Sequence, residues 1–427
     1  MTTYLERRRQ RVAAAWDLTD QAVVVAAGQP ISIPGGADQT YLFLSHAEYF
    51  YLADRECVGG VVAYDPQEGW TDFAPAVTED ERVWEGRTDA EGAPFSGFPA
   101  WLAARRGRKV AMLGVPLREV QADAALTAEV GERLLQARRP KDEVELERMR
   151  RAAAATAAGF AAVQHLLEPG NAERAIQVEL EAEFFRGGGE RTAFGTIVGV
   201  GSNSGVLHFT PGSRTARDGD NVLIDAGAEV GRHASDVTRT YRAGTKDGFF
   251  RDLYQVVLGA QERGIERCRP GAEWREVHLA VARDMTAGLV ALGILRGSPD
   301  SLVEQDAHAL FFPHGLGHLV GLGVRDASGY LPGRKRSERF GLRFLRCDFP
   351  LEPGFVITVE PGLYFIPALL NDPARRAKYR QAVDWTRVEA LLEFGGIRIE
   401  DNVLVRDGAP EVLTGAIPKT LATALLS

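Results

Sequence analysis

The chain of 427 residues has no apolar run approaching about 18 residues, the length a transmembrane helix needs. It has only three cysteines, Cys57, Cys268 and Cys347, far apart and odd in number. They form neither a disulfide framework nor a zinc ligand cluster, and they read as buried reduced thiols. An excess of positive charge is also missing: 50 Lys and Arg stand against 58 Asp and Glu, a formal charge of −8. A nucleic-acid partner is therefore not expected. The opening stretch, MTTYLERRRQRVAAAW, has no apolar segment ahead of a cleavage site. A secretory signal is not expected, and the reading is a cytoplasmic protein. Internal repeats and low-complexity tracts are absent from the letters. What remains is an ordinary globular mixture, 45% hydrophobic and 25% charged, with length for roughly two or three domains.

Tyr4–Trp16 reads as a charged amphipathic helix. Strand-like runs at 22–27, 60–64, 70–73 and 109–113 follow, with helical stretches between them at 78–84 and 100–105. This alternation predicts a small α/β domain over residues 1–137. A second domain, 138–427, would begin near Arg138-Arg139-Pro140. Pro140 suits a first helical position, with Asp142 and Glu143 in the first turn at the positive end of the dipole. Pro169-Gly170 stops that helix, and Asn171 can cap the next one, which runs to Arg186. Strand-like 196–200 and 206–208 follow around a Gly- and Ser-rich centre. Helices at about 249–267 and 273–295 come later, and the rest mixes short strands with Gly-rich turns.

The chemistry starts in NVLIDAGAEVGRHASDVTRTY, residues 221–241. Two strand patterns around a Gly-containing centre predict a β-hairpin. With Val230-Gly231 as the two-residue loop, Asp225 faces Asp236. Two carboxylates opposed on one sheet face repel. Either a divalent metal lies between them or both are solvated on an open edge.

Further candidates follow downstream. In FFPHGLGH, residues 311–318, His314 and His318 are four apart, but Pro313, Gly315 and Gly317 argue against a helix. The segment reads as a tight loop or strand end with close backbone approach. Glu360 ends the β-branched run of FVITVEPG. In GGIRIED, alternation puts Ile397 and Ile399 on one face and Arg398 and Glu400 on the other. Each acid alone could be a solvated strand end or a surface pair of little value. Gathered into one half-buried site, four carboxylates without a cation would repel too strongly to persist. Two divalent ions balance four carboxylates. Asp225, Asp236, His318, Glu360 and Glu400 form an oxygen-rich donor set with one imidazole, which suits manganese, cobalt or zinc. Such a pair of ions can activate water and polarise a carbonyl together.

The order Asp…Asp…His…Glu…Glu, set in LIDAGAEVGRHASDVTRTY, PHGLGHLVG, VITVEPGLYF and GGIRIEDN, resembles the pita-bread metallopeptidases. That family includes methionine aminopeptidase, aminopeptidase P and prolidase. The resemblance covers about residues 140–427. It implies an α+β fold, with a pita-bread catalytic domain behind a smaller creatinase-type α/β domain. It also implies that Asp225, Asp236 and Glu400 bind one or both metals and that His318 and Glu360 complete the pair. By the same resemblance His208 handles substrate or the leaving nitrogen, and His314 lies near the developing oxyanion. Thr238 and Arg398 match residues beside the metals and the substrate.

Residues 343–365 and the long insert 366–394 look most like bacterial prolidases. One departure is plain: the family usually reads Val-His-Asp where this chain has Val324-Arg325-Asp326. The expectation is a cytoplasmic, manganese-dependent Xaa-Pro dipeptidase, dimeric by resemblance. A hydroxide bridging the metals would attack the carbonyl of Xaa, with Glu360 moving the proton. Arg325 and Arg398 are the expected clamps for the free carboxylate of the dipeptide. The basic run Arg334-Lys335-Arg336 is a weaker candidate for the clamp and reads rather as a solvated loop. The rival expectations are an aminopeptidase P acting on longer Xaa-Pro peptides, a non-catalytic binding module on the same fold and a metal-free creatinase-like hydrolase.

Overall fold

The computed structural model describes residues 2–245 and 247–425 and divides into two compact units, Met1–Arg138 and Arg139–Ser427. The first unit has the order α1 (Tyr4–Trp16), β1 (Ala22–Ala26), α2 (Ala47–Ala53), β2 (Val61–Asp65), β3 (Gly69–Ala74), α3 (Glu79–Glu85), β4 (Ala93–Pro94), α4 (Phe98–Ala103), β5 (Val110–Gly114) and α5 (Ala124–Arg138). Its strands form one sheet in the order β4-β3-β2-β1-β5. β1, fully buried, pairs antiparallel with β2 and parallel with β5. The sequence pattern misses α5, which buries Leu126, Val130 and Leu134 along one face.

The second unit opens with α6 (Glu143–Ala162) and α7 (Glu173–Arg186). Pro140 is not the first helical residue. Asp142 is the N-cap instead, in a reciprocal capping box with Glu145 that satisfies the first free N–H groups. Ala172, not Asn171, caps α7 and does so without a side-chain bond. Then come β6 (Arg191–Thr192), β7 (Ile197–Val200), β8 (Asn221–Ala226), β9 (Ala228–Val230), β10 (His233–Ala234) and β11 (Val237–Arg242), followed by α8 (Gly248–Glu266), α9 (Trp274–Ala291) and α10 (Pro299–Glu304). The last part carries β12 (Gly329–Tyr330), β13 (Cys347–Asp348), β14 (Val356–Val359), β15 (Gly362–Tyr364), β16 (Gly396–Arg398), β17 (Asp401–Leu404) and β18 (Glu411–Val412). Residues 206–208 form a turn after a 3-10 segment rather than a strand.

Two helix pairs cover two sets of strands. One cluster joins Phe160, Leu180 and Phe184 of α6 and α7 to Val222, Ile224 and Val237. The other joins Val257 and Val281 of α8 and α9 to Ile357, Val359, Ile397 and Ile399. Strand alternation then turns the intervening residues the other way: Asp225 on β8, Thr238 on β11, Thr358 on β14 and Arg398 on β16. The polar face of each strand set therefore points away from its helices, and the candidate residues meet there. No described helix is long and apolar enough to cross a membrane.

Candidate metal centre

The hairpin exists, but its loop lies one residue further on than expected, which shifts each pairing partner by two. His233 pairs with Val230 and Ala234 with Glu229, so the loop is Gly231-Arg232. Both loop residues have positive φ, 53° and 67°, as a type I′ turn requires. In consequence Asp225 pairs with Thr238, not Asp236. Gly227 makes the hairpin possible at this point, since a Cβ there would lie 1.8 Å from Ser235 O. Asp236 is held separately. Asn402 clamps its backbone, accepting from Asp236 N at 3.0 Å and donating to Asp236 O at 2.7 Å.

The HGLGH segment runs against β14 as an irregular strand. Leu319 bridges Ile357, Thr358 N donates to His318 O at 2.9 Å, and Glu360 N donates to Leu316 O at 2.8 Å. A Cβ on Gly317 would meet Thr358 O at 1.9 Å, so only glycine permits this approach. β14 pairs with β17, ending at Val359 opposite Asp401. One further step along that ladder sets Glu360 opposite Glu400. Glu400 N donates to Thr238 O at 3.0 Å, which brings the end of β16 against β11.

These contacts bring all five expected metal-binding residues to one locus. Asp236, His318 and Glu400 offer ligand atoms that all lie within 4.8 Å of one another. His318 Nε2 is 3.5 Å from Asp236 Oδ2 and 3.8 Å from Glu360 Oε1. His318 Nδ1 donates to Leu319 O at 3.1 Å, which leaves Nε2 as the lone pair facing the carboxylates. Burial, then the charge of Arg325, presses its pKa down to about 3, so the ring is neutral. Asp225 Oδ1 is buried and accepts no hydrogen bond. Burial and mutual repulsion hold the carboxyls of Asp236 and Glu400 far above their usual range. Burial pushes Glu360 up to about 7. An orphaned carboxylate oxygen, repelling acids and a neutral imidazole are what a pair of divalent cations would satisfy.

Arg398 departs from its expected role. All three of its guanidinium nitrogens are taken: by Asp225 Oδ2 at 2.6 Å, Tyr364 Oη at 2.8 Å and Thr238 Oγ1 at 3.0 Å. It is a buried partner of the carboxylates, not a clamp open to substrate. Thr238 also donates to Glu400 Oε2 at 2.6 Å. Tyr364, which the sequence reading missed within the apolar run GLYF, links Arg398 to His314, whose Nε2 lies 3.0 Å from its hydroxyl. His314 Nδ1 bonds Gly315 O at 2.9 Å and is 3.8 Å from Glu360 Oε2. Burial, then Arg398, holds its pKa near about 3.

His208 is exposed on the loop after β7. Burial of part of its ring, then Arg325 and Arg398, lower its pKa. Glu173 pins that loop. Its buried carboxylate accepts from Val200 N, Asn203 Nδ2 and Gly212 N at 3.0, 2.7 and 3.0 Å. Arg325 is exposed and makes no ion pair or hydrogen bond among the described residues. The buried ion pair of Lys141 with Asp326, at 2.9 Å, anchors its loop. Arg346, also missed, is a second exposed cation at the site. Its backbone N lies 3.6 Å from where a Cβ on Gly315 would stand. Nothing in a lone loop arginine announces such a contact.

Residues 147–407 match the model of metallopeptidase family M24. The chain belongs to metallopeptidase family M24. Among curated relatives, the mouse Xaa-Pro dipeptidase is 39% identical over 56% of this chain and 49% of its own length. The Xaa-Pro aminopeptidase of Escherichia coli strain K12 is 38% identical over 65% of this chain and 57% of its own. The chain thus spans about half the length of the curated relatives it matches. Solved structures align over nearly all of it. Zinc-substituted E. coli aminopeptidase P in complex with product has a TM-score of 0.79 at 27% identity, covering 100% of this chain and 98% of that one. Pseudomonas aeruginosa aminopeptidase PepP gives 0.78 at 27%, covering 99% and 98%. The fold is therefore the two-domain pita-bread fold of the M24 aminopeptidases.

Proposed function

We propose that this M24 protein is a dinuclear-metal Xaa-Pro dipeptidase. The observation that carries the reading is the convergence of four carboxylates and one neutral imidazole beside the guanidiniums of Arg325 and Arg346, which form no ion pair among the described residues. Asp225, Asp236, His318, Glu360 and Glu400 would hold two divalent ions. Manganese fits the oxygen-rich set, with cobalt or zinc as alternatives. When bound, such ions acidify water and polarise a carbonyl.

The chain's own groups do the remainder. Glu360 lies against both histidines, where a carboxylate can take a proton and return it to the leaving nitrogen. His314 and Tyr364 form a fixed polar pair next to Arg398, suited to stabilising charge on the substrate carbonyl oxygen. His208 would handle the substrate or the leaving nitrogen. Arg325 and Arg346 are the candidates for the free carboxylate of the second residue, which a guanidinium binds bidentately. Arg325 is a permanent cation where the family usually has a histidine, which strengthens selection for that carboxylate.

A second reading has its own support. The structural likeness to aminopeptidase P extends over the whole chain, so release of the first residue from longer Xaa-Pro peptides is the alternative. A non-catalytic module is disfavoured, because all five ligand positions carry competent residues. The deciding experiment is a product assay on Ala-Pro beside Ala-Pro-Ala in the metal-loaded protein. Cleavage of Ala-Pro alone supports the dipeptidase; equal efficiency on both moves the protein to aminopeptidase P. The same reading includes a cytoplasmic homodimer, and light scattering in solution tests the dimer.

A further inference from the structure

The stretch 331–346, LPGRKRSERFGLRFLR, carries six basic residues against one acid, Glu338, in a chain whose formal charge is −8. Three of the six have acids at hand. Arg334 pairs with Glu273 at 2.7 Å and Asp348 at 3.0 Å, and Arg339 pairs with Asp306 at 2.9 Å. Lys335 borders a cavity of about 360 Å³ shared with Glu273, Glu276 and Asp348. Arg336, Arg343 and Arg346 form no ion pair among the described residues, and neither does Arg325.

Two of these cations are held in position by aromatic rings. Arg343 lies over Phe340 at 4.9 Å and over Phe344 at 4.8 Å. Arg336 lies 5.9 Å over Phe344 and donates from Nε to Arg343 O at 2.5 Å. Phe344 is 43% exposed. The stretch then runs directly into the site. A Cβ on Gly315, the neighbour of His314, would lie 3.0 Å from Phe344 O and 3.2 Å from Leu345 Cα. Gly329 N donates to Arg346 O at 3.1 Å and Tyr330 Oη to Leu345 O at 2.6 Å, which fixes that junction. A row of cations without ion pairs among the described residues, with Arg336 exposed and Arg343 half-buried and both braced on aromatic rings, therefore leads to the candidate metals. One carboxylate needs at most one guanidinium pair, so the additional cations exceed what direct contact requires.

We propose that Arg336 and Arg343, braced on Phe340 and Phe344, form a collecting surface for peptides with an anionic C-terminal end. This surface draws the free carboxylate toward Arg325 and Arg346. The inference rests on the Xaa-Pro peptidase reading and deepens it: the substrate class is set partly by a field outside the contact site. Like-signed charges along the approach to a site raise the local concentration of an oppositely charged ligand, and salt removes the effect.

The test compares KM for Ala-Pro with KM for Ala-Pro-amide, which lacks the carboxylate, in the metal-loaded protein. If the amide is not turned over, its inhibition constant serves. Measurements are made at about 10 mM and about 1 M salt, where the screening length falls from roughly 30 Å to roughly 3 Å. The preference for the acid over the amide should fall about tenfold or more between the two salts. In Arg336→Gln/Arg343→Gln, with metal content and circular dichroism checked, most of that salt-sensitive preference should be gone. Arg343→Lys, which keeps the charge, should retain it. A preference that does not move with salt overturns the proposal. So does an unchanged salt response in the double variant, which would assign the whole effect to Arg325 and Arg346. Absence of turnover on either substrate would overturn the peptidase reading instead. Calorimetric binding of the acid and the amide across the same salts would then still decide the collecting surface.

Discussion

The two oxygens of Asp225 are in opposite situations. Oδ2 takes the Arg398 guanidinium at 2.6 Å, while Oδ1 is buried and accepts nothing. A cation at Oδ1 would complete it, and loss of the anion would leave the ion under-coordinated. Asp225→Asn and Glu400→Gln are therefore expected to abolish activity and to lower the metal content read by elemental analysis. Full turnover in either variant would remove the metal assignment. Tyr364 and His314 stand apart from this set, since their polar atoms bond each other and Arg398 rather than converge on the triad. His314→Ala, His208→Ala and Tyr364→Phe should keep their metal and lose roughly 10²–10⁴-fold in kcat. Metal loss in any of the three would show that the residue ligates. Arg346→Ala should mainly raise KM for Ala-Pro, with a smaller effect on Ala-Pro-amide.

At the scale of elements, glycines decide which strands can touch. Gly317 sits so close to Thr358 O that a methyl group cannot be added without moving β14 or the HGLGH strand. Gly317→Ala should cost several kcal/mol in denaturant unfolding and displace His318 and Glu360 together. An unchanged midpoint would mean that the two strands slide at little cost. The same local geometry explains what the letters revealed. Both hairpin strands, the non-helical HGLGH segment and the in–out alternation around Ile397, Arg398, Ile399 and Glu400 were legible, because period and glycine content report them directly. The hairpin register was not. A two-residue loop is read from a glycine in its second position, as in Asn-Gly, whereas here Gly231 stands first and Arg232 takes the second place at φ 67°. The roles of Arg398, Tyr364 and Arg346 were hidden for another reason. Each depends on a partner more than 25 positions away, and no local pattern encodes that. Glu173 belongs to this group: three donors from the 200–212 segment converge on one buried carboxylate. Glu173→Ala should loosen that loop to proteolysis and lower kcat through His208 without removing metal.

Over the whole molecule, the two units depend on different charges, and acid should separate them. In the first unit Asp65 is buried and meets two arginines, Arg105 Nε at 2.6 Å and Arg108 Nη1 at 2.7 Å. Burial alone would raise its pKa. The Arg108 hydrogen bond, the Gln67 N–H and the Arg105 charge outweigh it and bring the pKa down to about 2 from 3.8. A carboxyl whose folded pKa is depressed stabilises the fold above its unfolded pKa, and that stability is lost as pH falls toward the folded value. The contribution is about 2 kcal/mol, fully present above roughly pH 4 to 5 and gone near pH 2. Asp65→Asn should therefore destabilise the first unit at pH 7 by at least this amount, because the buried Arg105 also loses its buried carboxylate and keeps the exposed Glu68 as its ion-pair partner among the described residues. The difference from the parent protein should shrink between pH 4 and pH 2. Trp16, Trp70, Trp84 and Trp101 lie in this unit, and Trp274 and Trp385 in the other. Fluorescence-monitored guanidinium unfolding at several pH values, with the second unit's two tryptophans replaced, would follow the first unit alone. Chelation should leave this transition unmoved while lowering the melting temperature of the second unit, whose gathered carboxylates lose their counter-charge. A constant gap between Asp65→Asn and the parent from pH 7 to pH 2 would mean that Asp65 acts through packing, not through its charge.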